Sequence, residues 1–78
     1  MAYKEVSKTI KVDDHEIRVR NLTGDEEIEA QQVSIVEMLL KVVGKDAIAN
    51  RNFGHRDFRT IWNAILDLTF GSEEQEKN

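Results

Sequence analysis

The chain predicts an α+β fold, a small single domain in which an N-terminal β-hairpin packs on two main α-helices. Three observations predict it. Residues 8–20 (KTIKVDDHEIRVR) alternate polar and apolar side chains on both sides of an Asp-Asp pair. Residues 22–44 (LTGDEEIEAQQVSIVEMLLKVVG) carry a helix start, a long apolar pattern and a glycine stop. Residues 58–69 repeat apolar side chains at helical spacing.

The hairpin follows from its register. With Asp13 and Asp14 as a two-residue loop, Val12 faces His15, Ile10 faces Ile17 and Lys8 faces Val19. That pairing gathers Ile10, Val12, Ile17 and Val19 on one face and sets Lys11 beside Glu16 and Thr9 beside Arg18 on the other. Asp-Asp suits a type I′ turn less well than Asp-Gly, which leaves a longer loop open. Residues 2–7 are candidates to extend the first strand through Tyr3 or Val6. A lone hairpin is marginal in water, and the short link Asn21–Leu22 points its apolar face at the helix just downstream. Lys8, Lys11, Arg18 and Arg20 are placed to guard the strand edges by charge, unless a partner strand extends the sheet.

A single helix is predicted over 24–43. Thr23 and Glu26 have capping-box spacing, Asp25, Glu26 and Glu27 favour the positive end of the helix dipole, and Gly44 can end the helix in a left-handed conformation. On a continuous helix Ile28, Ile35, Leu39, Val42 and Val43 form one stripe, with Val33 and Leu40 on one flank and Met38 on the other. The apolar arc is then about 220° wide, against roughly 100° for a helix covered on one side. Val33 and Leu40 therefore either pack under a second layer of the chain or lie in an interface with a partner or another copy.

After Gly44, residues 46–50 have room for one helical turn carrying Ile48, and Phe53 is placed to plug the edge of the core. The second main helix is predicted over 56–69, from Phe58, Ile61, Trp62, Ile65, Leu66 and Thr69, with Gly54 or Asp57 at its start and Gly71 at its end. Residues 1–70 form the domain and 71–78 a polar, frayed tail. The predicted core is Ile10, Ile17, Val19, Ile28, Ile35, Leu39, Val42, Ile61, Ile65 and Leu66. Trp62 joins Val33 and Leu40 as a candidate partner-binding residue, because an indole in so small a domain is either core or anchor.

Composition narrows the function. A chain of 78 residues without cysteine has neither a disulfide framework nor a thiolate metal site. No apolar leader or long apolar run is present, so the expectation is a cytoplasmic protein that stays off the membrane. A net charge of −4 disfavours nucleic acid as partner. Arg51, Arg56 and Arg59 beside Phe53 and Phe58 are the one basic and aromatic cluster, read as a solvated helix start. His15 sits among Asp13, Asp14 and Glu16, but contiguous strand residues point to opposite faces, so no metal is expected. His55 reads as a surface or capping residue. Ser34 has no His and Asp company, and the acidic first turn is explained by capping. No catalytic residue and no cofactor is expected; the chain reads as non-enzymatic.

The stretch KTIKVDDHEIRVRNLTGDEEIEA resembles the front of small tail assembly chaperones of long-tailed phages. That front is a hairpin of the form T-apolar-x-apolar-D-x-x-E-apolar-x-apolar, followed by an LTGEE-like helix start. The likeness covers about residues 8–30. It departs from the family in carrying Asp13-Asp14 where Asp-Gly is common, and the chain is shorter than many members. The resemblance implies an oligomeric protein in the host cytoplasm that coats a tape-measure protein during tail assembly. The rival expectation is a small acidic regulator or inhibitor that binds a host or nucleic-acid-binding protein. A third is a nucleic-acid-binding accessory protein that uses the arginine cluster.

Overall fold

The computed structural model describes residues 3–49 and 52–71. The order is β1 (Ser7–Val12), β2 (His15–Arg20), α1 (Gly24–Glu29), α2 (Ile35–Val42), α3 (Lys45–Ile48) and α4 (His55–Phe70). The α+β architecture is the expected one, a two-stranded antiparallel sheet with helices on its apolar face.

The hairpin has the predicted register, with Val12 opposite His15, Ile10 opposite Ile17 and Lys8 opposite Val19. Asp13 and Asp14 have φ of 51° and 70°, so both loop residues are left-handed, as a type I′ turn requires. Aspartate tolerates that region better than most residues, which is how the pair substitutes for Asp-Gly. Upstream, Asn21 acts as a short extra strand partner. Its backbone N–H donates to the Val6 carbonyl at 3.0 Å, its Oδ1 accepts from the Val6 N–H at 2.9 Å, and its Nδ2 donates to the Lys4 carbonyl at 3.0 Å. Tyr3 joins by donating its hydroxyl to Asn21 Oδ1 at 2.8 Å.

The helix predicted over 24–43 is two helices, and this is the main correction to the sequence reading. Both start with a capping box. Thr23 Oγ1 accepts from the Glu26 N–H at 3.1 Å while Glu26 Oε1 accepts from the Thr23 N–H at 3.0 Å. Ser34 Oγ accepts from the Glu37 N–H at 3.2 Å and Glu37 Oε1 accepts from the Ser34 N–H at 3.4 Å. Ser34 is extended (φ −74°, ψ 160°), so the chain leaves the helical conformation before restarting it. Tight bonds close α1, with the Gln31 N–H donating to the Ile28 carbonyl and the Gln32 N–H to that of Glu29. The ion pair of Lys41 Nζ with Glu29 Oε1, 2.6 Å apart, spans the corner. On one straight helix those residues would stand about 18 Å apart at 1.5 Å rise each.

The break resets the helical phase. Ile28, predicted in the core, is 60% exposed, whereas Met38, predicted on a flank, is fully buried beside Leu39. Gly44 follows the end of α2 with a positive φ of 115°, but its ψ of 142° lies outside the left-handed helical conformation expected of it; it opens the single turn α3 that carries buried Ile48. Phe53 is buried, and its ring meets those of His15 and Phe58 edge-on at 5.7 and 6.4 Å. Together they cover the turn end of the hairpin.

With the first helical region split, the hairpin packs on α4 rather than mainly on the helix just downstream. α4 is the longest unbroken amphipathic element; it lies against both strands and also receives α2. Ile17, Val19, Met38, Leu39, Ile61 and Ile65 form the fully buried centre, with Ile10, Ile35 and Val42 partly buried around it. Asp57 Oδ2 accepts from the Gly54 N–H at 3.0 Å at the start of α4, and left-handed Gly71 (φ 63°) ends it, both as the sequence predicts. The polar tail expected beyond Gly71 lies outside the described residues.

Candidate protein-binding groove

Two polar links set how α1 sits against α4. The first is Arg20, at the end of β2, which grips Glu26 with both arms: Nη1 donates to Oε1 at 2.8 Å and Nη2 to Oε2 at 2.9 Å. Glu26 is itself buried, and the same Oε1 closes the α1 capping box. The Arg20 hydrogen bonds, helped by the Thr23 N–H and opposed by burial, lower the Glu26 carboxyl to about 2. The guanidinium is correspondingly raised by its bonds to Glu26. Arg20 therefore ties the sheet to α1, a different task from the edge guarding expected of it.

The second link is Thr69. Its Oγ1 accepts from the Leu22 N–H at 2.9 Å and donates to the Ile65 carbonyl at 2.7 Å. A backbone donor in the strand-to-helix link is thus satisfied by the last turns of α4, which fixes the two elements side by side.

Between α1 and α4 runs an open groove of about 340 Å³, lined by Leu22, Glu27, Ala30, Gln31, Trp62, Leu66 and Phe70. Trp62, Leu66 and Phe70 stand four residues apart and form one ridge of α4 beside its core-facing residues Ile61, Ala64 and Ile65. Leu66, expected in the core, is half-buried on this ridge. Phe70, at the end of the ridge, is 64% exposed. The groove is at the small end of ligand-pocket sizes, open along one side, and has only two polar side chains in its lining. Such a surface gains free energy by covering apolar area and offers few groups to orient a reaction.

Of the residues singled out from sequence, Trp62 lies in this groove, half-buried. Val33 and Leu40 do not line it. Val33, in the link between α1 and α2, is partly buried against the core. Leu40 and Val36, one turn apart on α2, are exposed at 36% and 38% and make a small separate apolar patch. Arg51 of the expected arginine cluster lies outside the described residues. Of the aromatics set beside Arg56 and Arg59 in sequence, Phe53 is buried and Phe58 packs on the core.

No protein-family model matches the chain, and no curated protein or solved structure is significantly similar to it. Among the described residues no helix is long and apolar enough to cross a membrane.

Proposed function

We propose that this chain is a non-enzymatic protein-binding module that shields an apolar segment of another protein, in the manner of a tail assembly chaperone acting on a tape-measure protein in the host cytoplasm. The α1/α4 groove is the observation that carries the reading. A phenylalanine left 64% exposed beside a half-buried tryptophan and leucine is apolar area that the described chain does not cover. Burying a side chain of that size on a partner contributes about 1.5–3 kcal/mol before association costs. In this reading Val36 and Leu40 on α2 supply the contact between successive copies along a long client.

The test is a photo-crosslinking amino acid in place of Phe70, with the chain co-expressed with the tape-measure protein from its own genome. A crosslink to that protein is expected. A crosslink at a control position on the outer face of the hairpin, such as Thr9, with none at position 70, contradicts the proposal.

A further inference from the structure

The charge around the groove selects what fills it. Glu27 is its one charged lining residue. At the Phe70 end, α4 finishes with no basic residue in its last turn, so no side chain of that turn offsets the roughly half negative charge of its terminal carbonyls. Asp67 is exposed on the same stretch of α4. Among the described residues neither Glu27 nor Asp67 is ion-paired. The chain's own C-terminal residues do not suit this site: 72–78 read SEEQEKN, with no apolar side chain and three glutamates against one lysine.

The lining also discriminates between backbone conformations. An extended segment laid on this floor would bring unpaired N–H and C=O groups against apolar side chains, with only Glu27 and Gln31 to satisfy them. A helix satisfies its own backbone, and the ridge from Trp62 to Phe70, about 12 Å long, matches two helical turns. Resting on the protein-binding reading above, we propose that the groove takes a basic amphipathic helix of a partner protein. Its apolar residues, spaced three and four apart, cover Trp62, Leu66 and Phe70, and a flanking lysine or arginine meets Glu27 and Asp67.

Trp62 is the only tryptophan of the chain, so it reports occupancy directly. Two tryptophan-free helical peptides with the same apolar pattern, one flanked by lysines and one by glutamates, are titrated against the full chain while Trp62 emission is followed. The lysine peptide should bind about tenfold more tightly, the effect of two rim ion pairs, with the margin shrinking as salt is added. A Glu27→Gln/Asp67→Asn variant should bind the two peptides nearly alike. Equal binding of both peptides by the unaltered chain, or tighter binding of the glutamate peptide, overturns the charge assignment and leaves the groove standing. No change in Trp62 emission with either helical peptide overturns the groove as well.

Discussion

Replacing Glu26 with glutamine keeps the length of the side chain and an oxygen for the Thr23 N–H, but removes the charge that Arg20 grips. The fold holds this carboxyl at about 2, against 4.5 for an unperturbed one. That difference stabilises the folded chain by on the order of 3 kcal/mol at neutral pH. A domain of this length has about 4–12 kcal/mol in all, at 0.05–0.15 kcal/mol per residue. Because the folded value is the lower one, the contribution is complete above about 4.5 and is lost as pH falls from there to about 2. Urea unfolding followed by circular dichroism at pH 7, 4.5, 3 and 2 measures it. The unaltered chain should exceed Glu26→Gln by a few kcal/mol at pH 7, and the gap should close as pH approaches 2. A gap that is absent at pH 7, or that persists undiminished at pH 2, would refute the assignment of stability to this ion pair.

Three further substitutions probe the packing. Leu39→Ala, at the fully buried centre, should cost about 2–5 kcal/mol in the same unfolding assay. Ser34→Ala removes the cap that restarts the chain as α2 and should cost about 1 kcal/mol, with lost amide protection in hydrogen exchange concentrated at Ile35–Val42. Leu40→Ser, at an exposed position, should leave the melting temperature within a few degrees, whereas Val33→Ser, packed against the core, should lower it by more; equal effects would contradict their different burial.

The hairpin was legible in the sequence because its apolar residues share one face, so a one-residue slip would put Ile10 and Val12 on the face opposite Ile17 and Val19. Helix α4 was legible because its pattern runs unbroken between a capped start and Gly71. The split between α1 and α2 was written in the sequence too. Ser34 and Glu37 have the same spacing as Thr23 and Glu26, and two capping boxes eleven residues apart specify two starts. A single helical wheel over 24–43 overlooks the second start at Ser34, and so sets Ile28 in the core and Met38 on a flank, the reverse of their burial. The wide arc on that wheel does not survive the break. The groove was not legible at all, since it depends on α1 lying beside α4. Long-range links set that placement, through the Thr69 hydroxyl on the Leu22 N–H and the grip of Arg20 on Glu26. Of its residues only Trp62 is a candidate binding residue from sequence, through residue type rather than spacing, whereas the spacing of Leu66 assigns it to the core.

The proposal that the α1/α4 groove is a binding surface is tested most directly by Phe70→Ser, comparing retention of the proposed client, a tape-measure protein, on the immobilised chain with the melting temperature of the same preparation. Phe70 is largely exposed and lies outside the buried centre, so the melting temperature should move by only a few degrees. Client retention should fall by about tenfold or more, as expected for the loss of an aromatic anchor. Retention equal to that of the unaltered chain, with the fold intact, would contradict the account.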